Sequence, residues 1–177
     1  MNDSQIVFLK SLVRNVPDFP VKGIQFKDLT PMFKHPEALR LVGDGLAELY
    51  RDKGVTLVAG IESRGFIGAS MMATRLGAGF VPIRKPGKLP ADILQQSYQK
   101  EYGVDTIEVH ADSVTSEDVV VIHDDLLATG GTMLAAYQLI QKMHPAKVYI
   151  NFLCAIPQLN GRLILPDDVE VTTLFDF

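Results

Sequence analysis

Val119-Val120-Val121-Ile122-His123-Asp124-Asp125-Leu126-Leu127-Ala128-Thr129-Gly130-Gly131-Thr132 carries most of what the chain declares about its architecture. Four successive β-branched residues without polar alternation describe a strand covered on both faces, as in parallel sheets. The strand, taken as Val119 to His123, runs out into two adjacent carboxylates. A small-residue turn then opens a helix from about Thr132 to Met143. From Ala128 to Thr132 the chain offers closely spaced backbone N–H groups, two hydroxyls and a helix N-terminus, which together make a cradle for a phosphate dianion. Two glycines allow close backbone approach. Asp124 and Asp125 repel the same anion and need another task nearby. Hydrogen bonds to sugar hydroxyls, or outer contact with a Mg²⁺ ion, supply one. No Gly-Lys-Ser/Thr is present, and no Gly-x-Gly-x-x-Gly follows a strand. The plain alternative is a glycine-rich turn with capping aspartates.

Outward from this stretch the pattern alternates. Val55–Gly60 and Phe80–Arg84 are short apolar strands, separated by a helix from Gly65 to Leu76 that Gly77 closes. Val148–Ala155 and Val169–Phe175 complete about five strands. Strand–helix–strand alternation implies right-handed crossovers and an α/β fold with a doubly wound, mainly parallel sheet. In such folds the chemistry lies beyond the carboxyl ends of the strands. Between Lys85 and Asp118 the alternation breaks: Pro86, Gly87, Pro90 and Gly103 precede an alternating run from Thr106 to His110. An excursion of this length suits a β-hairpin with a mobile tip, serving as a lid. At the N-terminus, Ser4 is the expected cap of a helix with apolar Ile6, Leu9, Val13 and Val16, ended by Pro17. Pro17 to Pro31 is expected to be extended and irregular. A helix from Pro36, with Leu39, Val42, Leu46 and Leu49 as its apolar stripe, is expected to stop at Gly54.

Composition limits the function classes. The 177 residues are one domain's worth, 47% hydrophobic and 21% charged. Lys+Arg 17 against Asp+Glu 21 leaves a net charge of −4, which argues against a general nucleic-acid binder. No apolar stretch approaches the roughly 18 residues of a membrane span. The single Cys154 lies in an apolar run and is expected to be a buried, inert thiol. One cysteine and no N-terminal signal pattern suggest a cytoplasmic location.

Four further clusters fall on the loops that the alternation singles out, or near them. Gly60-Ile61-Glu62-Ser63-Arg64-Gly65-Phe66 follows the first strand, and Ser63 with Arg64 offers a hydroxyl, a guanidinium and amides to a second anion. Alone it reads as an ordinary helix start; beside the first cradle it offers a second anion site. Arg84-Lys85-Pro86-Gly87-Lys88 puts three cations after the second strand of an acidic chain, a local positive patch rather than a merely solvated loop. Tyr98-Gln99-Lys100-Glu101-Tyr102-Gly103 lies in the excursion; read from the residues alone, Glu101 is a solvated loop carboxylate. Pro17 to Asp28 carries Phe26 among polar neighbours, either an apolar anchor for a loop or an aromatic face for a flat base.

Acidic pair followed by Ala-Thr-Gly-Gly-Thr resembles the phosphoribosyl pyrophosphate signature of the type I phosphoribosyltransferases. Ile-Arg-Lys-Pro-Gly-Lys-Leu-Pro, Glu-Tyr-Gly, and Asp18-Phe19-Pro20 with Gly23, Phe26, Lys27 and Asp28 are similar to the adenine-specific branch of that family. The likeness is clearest from about Asp18 to Thr132 and fades after Ile156. It implies that Asp124 and Asp125 bind the ribose hydroxyls, and that Ala128, Thr129, Gly130, Gly131 and Thr132 hold the 5′-phosphate. By the same resemblance Ser63, Arg64, Arg84, Lys85 and Lys88 meet the pyrophosphate. Gln25, Phe26 and Lys27 belong to a hood over adenine, with Phe26 stacking and Gln25 reading the base edge through its main chain. Glu101 closes over the base and handles its proton as the catalytic residue, and Tyr102 packs the closed lid. Lys27 stands where the family usually has Arg, and Gln25 and His123 where it usually has aliphatic residues; His123 is expected to be a tolerated strand-end residue.

The resemblance further implies a single domain over 1–177, with residues 1–34 as helix plus hood and 85–118 as flexible lid. The implied reaction is transfer of the phosphoribosyl group of phosphoribosyl pyrophosphate to N9 of adenine, giving AMP and pyrophosphate, with Mg²⁺ as cofactor and a homodimer as the assembly. Two rivals have different signatures. A 6-oxopurine enzyme of the same family usually uses a lysine readout of the base. A non-catalytic regulator on this fold usually adds a DNA-binding domain or basic face, for which an acidic chain of 177 residues leaves little room.

Overall fold

In the computed structural model of the chain, which describes residues 1–100 and 103–177, Asn2 rather than Ser4 starts the first helix. Its side chain accepts from Gln5 N–H at 3.0 Å, and the Gln5 side chain accepts from Asn2 N–H at 3.0 Å, a reciprocal box that satisfies two otherwise orphaned donors. Helix α1 covers Asp3–Ser11. Val13 and Val16 lie outside it, and Val16 belongs to strand β1 (Arg14–Pro17), which pairs antiparallel with β2 (Gln25–Asp28). The stretch expected to be irregular therefore contains a strand. Cross-strand side-chain pairs hold the ribbon: Arg14 meets Asp28 at 2.7 Å, and Lys27 Nζ donates to Asn15 Oδ1 at 2.7 Å. Such pairs leave no alternation of apolar residues to be read. A short helix α2 (Thr30–Lys34) precedes α3 (Pro36–Glu48). Pro36 opens α3 as expected, but the helix ends at Glu48 and turns carry the chain on to Gly54.

Two compact units divide the chain, Met1–Gly45 and Leu46–Phe177. The second is built on five parallel strands. These are β3 (Leu57–Ile61), β4 (Gly79–Ile83), β7 (Val119–Leu127), β8 (Lys147–Ala155) and β9 (Val171–Asp176), in the order β4-β3-β7-β8-β9. Helix α4 (Gly65–Leu76) lies against β3, β4 and β7. The excursion is a hairpin, β5 (Ile93–Lys100) with β6 (Gly103–His110), and it packs on α5 (Gly131–Gln141). Alternate residues of the strands face this side: Ala59, Ile61, Val120, Ile122, Ile150 and Phe152 share one apolar cluster with Ala136, Leu139 and Ile140 of α5. Isolated bridging between Arg84 and Glu108 ties the hairpin stem to the end of β4. No described helix is long and apolar enough to cross a membrane.

The opposite face of β7 and β8 is polar in one place. His123 is fully buried in the middle of β7, not at its end, because the strand continues for four more residues. Its Nδ1 lies 2.6 Å from Asn151 Oδ1, Asn151 Nδ2 donates to Thr172 Oγ1 at 2.8 Å, and Thr172 Oγ1 is 2.7 Å from the Tyr50 hydroxyl. Nε2 has no hydrogen-bond partner among the described residues. It points at Gly68 of α4, where a Cβ would lie 2.1 Å away. Burial depresses the imidazole to about 4, outweighing the Asn151 bond and the Asp125 charge, which pull upward.

The unfolded chain, with His123 near its ordinary 6.5, takes up this proton at higher pH than the folded one. Stability from His123 is therefore complete above about pH 6.5 and falls as the pH drops towards 4, by about 3 kcal/mol in all. His123→Asn keeps a hydrogen-bonding atom where Nδ1 stands and removes the ionisable ring. Urea unfolding between pH 4 and 7 is expected to show a steep decline for the parent and a shallower one for the variant; equal slopes would contradict it.

Candidate active site

Three strand ends and one helix start converge on a cavity of about 360 Å³. From the end of β3 come Glu62, Ser63 and Arg64; from beyond β4, Lys85; from the hairpin, Tyr98 and Asp105; from β7, Asp124 and Asp125; and from α5, Thr132. A parallel sheet aims all its carboxyl ends the same way, which is why segments so distant in sequence meet here. The Glu62–Ser63 peptide is cis. A smaller recess of about 90 Å³ adjoins, lined by Ala128, Thr129, Gly130, Gly131 and Thr132, and it shares Asp124 and Thr132 with the larger one. Gly130 precedes α5 with φ +84, a conformation that a side chain resists.

Both aspartates stand within β7 itself rather than in the turn after it. Asp125 is almost wholly buried, and its carboxylate accepts from Arg64 Nε at 2.5 Å. The carboxyl of Asp124 accepts from the Asp125 N–H at 2.9 Å. Desolvation, then the charge of Asp125, pushes Asp124 well above the usual carboxylate range. The Asp125 carboxylate is compensated by Arg64, its neighbour in the same wall. Directly beneath, Cys154 is buried, as its apolar run implied, and its Sγ lies 3.5 Å from Asp125 O.

Of the cation cluster, the lining includes Lys85 but neither Arg84 nor Lys88. Arg84 Nε donates to Glu62 Oε2 at 2.9 Å and its guanidinium lies 5.8 Å from the Phe66 ring centre. Lys85 N–H donates to the same Glu62 oxygen at 2.9 Å. The Arg84 bond, then the Lys85 bond, holds the Glu62 carboxyl below its usual range. Glu108, buried in β6, accepts from Gly87 N–H at 3.0 Å. Glu62 and Glu108 therefore fix the course of the basic loop from both sides. Reading the residues alone missed both roles, although Glu62 sits inside a quoted motif and Glu108 inside the alternating run.

Tyr98 and Asp105 were also missed. Thr132 Oγ1 donates to the Tyr98 hydroxyl at 3.1 Å, which donates to Asp105 Oδ2 at 3.3 Å, and Lys85 Nζ lies 3.9 Å from Asp105. The hairpin is thereby tied to the start of α5. Glu101 and Tyr102 lie outside the described residues. Gln25, Phe26 and Lys27 belong to the first unit, on β2, where Phe26 is half-buried and meets Phe19 edge-on at 5.0 Å between ring centres.

Among the described residues no three His, Cys, Asp or Glu side chains gather as a metal-chelating group. Glu62, Asp105, Asp124 and Asp125 nonetheless line the cavity with hard oxygen donors, beside Arg64 and Lys85. This donor set suits a magnesium ion that arrives with an oxygen-rich anion better than one held by protein alone.

Residues 30–173 match the model of the phosphoribosyl transferase domain. Adenine phosphoribosyltransferase of Bacteroides thetaiotaomicron is 53% identical over 171 residues, 97% of each chain. The crystal structure of adenine phosphoribosyltransferase from Rhodothermus marinus superposes with a TM-score of 0.93 at 49% identity, covering 99% of this chain and 100% of that one. The enzyme of Giardia lamblia, solved in complex with 9-deazaadenine, gives a TM-score of 0.93 at 40% identity over 97% of both chains.

Proposed function

The chain belongs to the adenine phosphoribosyltransferases, a branch of the type I phosphoribosyltransferase family, and we propose that the residues around the two recesses divide its reaction among them. The enzyme acts in purine salvage, joining adenine to the phosphoribosyl group with release of pyrophosphate. The observation that carries the division is the make-up of two recesses that share residues. Ser63, Arg64, Lys85 and Asp125 line the larger, the Ala128–Thr132 cradle lines the smaller, and Asp124 and Thr132 line both. A sugar with phosphate groups at both ends matches that set of cation, carboxylate and amide.

In this reading the 5′-phosphate takes the amides and hydroxyls of residues 128–132. Ribose hydroxyls donate to Asp124 and Asp125. Arg64 exchanges its bond to Asp125 for the pyrophosphate, so neither partner of that ion pair is left uncompensated when substrate enters. Lys85, Lys88 and Arg84 add positive charge where negative charge accumulates on the leaving group. By the family resemblance Mg²⁺ would enter with the pyrophosphate and ribose rather than on a dedicated protein ligand, and would supply further charge neutralisation on the leaving group. Adenine rests on Phe26, with Gln25 and Lys27 beside it, a placement that the family resemblance supports. Glu101 accepts or orients the adenine proton as N9 bonds to the anomeric carbon, and Tyr102 packs the closed lid, both by resemblance. Lid closure excludes water that would otherwise hydrolyse the activated sugar. A homodimer is the assembly that the family resemblance supports.

Adenine, guanine, hypoxanthine and xanthine, each offered separately with phosphoribosyl pyrophosphate and Mg²⁺, test the reading. AMP alone is the expected product. Nucleotide from a 6-oxopurine would overturn the base assignment, and product without added Mg²⁺ after chelation would overturn the cofactor.

A further inference from the structure

The cradle rests on a stretch of chain that neither motif nor resemblance singled out. After β8 the chain folds into two 3₁₀ turns, Pro157–Leu159 and Gly161–Ile164. Ile156 N–H donates to Leu127 O at 3.0 Å, which draws the segment back towards the end of β7. Gly161 is buried there, and a Cβ on it would lie 2.1 Å from Ala128 O and 2.9 Å from the Ala128 carbonyl carbon. Reciprocally, a Cβ on Gly130 would lie 2.5 Å from Gly161 O. Two glycine backbones therefore touch with no side chain between them.

Contacts this short are far inside ordinary van der Waals separation, and the atom opposed to position 161 is main chain, not a side chain that can rotate away. Relief comes only by moving the cradle or the turn beneath it. The turn is held in turn by Arg162, whose guanidinium donates to Leu165 O at 3.2 Å, Pro166 O at 3.3 Å and Val169 O at 3.5 Å. We propose that Gly161 is a positioning residue for sugar-phosphate binding: the Gly161 turn is the floor that sets the Ala128–Gly130 backbone, and hence the N–H groups of the cradle, at the spacing a phosphate dianion requires. This rests on the assignment of residues 128–132 to the 5′-phosphate.

Ribose 5-phosphate and Mg²⁺-pyrophosphate, titrated separately by calorimetry, report on the two anion sites independently. Gly161→Ala is expected to weaken ribose 5-phosphate by about 10- to 100-fold while pyrophosphate binds as in the parent. In turnover, KM for phosphoribosyl pyrophosphate rises and KM for adenine does not. Arg162→Ala loosens the floor rather than pushing on the cradle and gives the same selectivity with a smaller loss; it carries the test should Gly161→Ala fail to fold. Parental ribose 5-phosphate binding in a folded Gly161→Ala, or in Arg162→Ala where that variant must serve alone, would overturn the role of the floor. So would equal loss of both ligands. Gly131→Asp, which places a carboxylate in the cradle, separates the two levels. Its expected loss of ribose 5-phosphate supports the cradle, whereas unchanged binding would overturn the cradle assignment and the floor with it.

Discussion

Glu101→Gln is expected to turn over adenine about 10²–10⁴-fold more slowly than the parent, with little change in affinity for phosphoribosyl pyrophosphate. The amide keeps the size and most of the hydrogen bonding of the carboxylate but accepts a proton far less readily. Adenine N9 must be free of its proton as the new C–N bond forms, so the loss falls on kcat. The sugar-phosphate contacts are assigned to other residues, Asp124–Thr132 and Ser63–Arg64, so KM for phosphoribosyl pyrophosphate is expected to be spared. Steady-state kinetics across pH decide it: near-parental turnover removes Glu101 from the mechanism.

Asp125→Asn is expected to weaken phosphoribosyl pyrophosphate binding by about 1.5–3 kcal/mol, roughly 10- to 150-fold. Its carboxylate is almost wholly buried and faces Arg64 at 2.5 Å. The variant loses the charged acceptor for a ribose hydroxyl, yet it also releases Arg64 from its partner. Pyrophosphate alone therefore binds no more weakly than to the parent, and the deficit appears only with ligands that carry the sugar. The same change removes a charge that raises the Asp124 carboxyl, so Asp124 moves back towards its ordinary range. Calorimetry with both ligands distinguishes this from a damaged site. Unchanged affinity for phosphoribosyl pyrophosphate would take Asp125 out of the ribose contact.

Strongly periodic and strongly punctuated segments declared themselves in the sequence. The helix from Gly65 to Leu76 with Gly77 after it stands as read, and all five sheet strands lie within a few residues of their expected positions. Uninterrupted β-branched runs can be buried on both faces only in such a sheet. What escaped was whatever depends on partners distant in the chain. Strand β2 is held by Arg14–Asp28 and Lys27–Asn15, pairs with no signature in either segment alone. Asn2 took the cap from Ser4 because Gln5 could return its bond. In the site, charged groups with an evident ligand role stood out, whereas Glu62 and Glu108, whose work is to hold backbone N–H groups, did not. His123 looked like a substitution at the margin of a strand because the sequence gives no sign that β7 runs on through the aspartates.

The contact between His123 and Gly68 makes the two positions depend on each other. A methyl group at position 68 cannot enter while the imidazole fills that space, held by its bond to Asn151 and enclosed on every side. Replacement of His123 by a shorter residue, by contrast, meets no steric obstacle. A side chain at 68 therefore fits only where the imidazole has gone, and an imidazole at 123 fits only where 68 is bare.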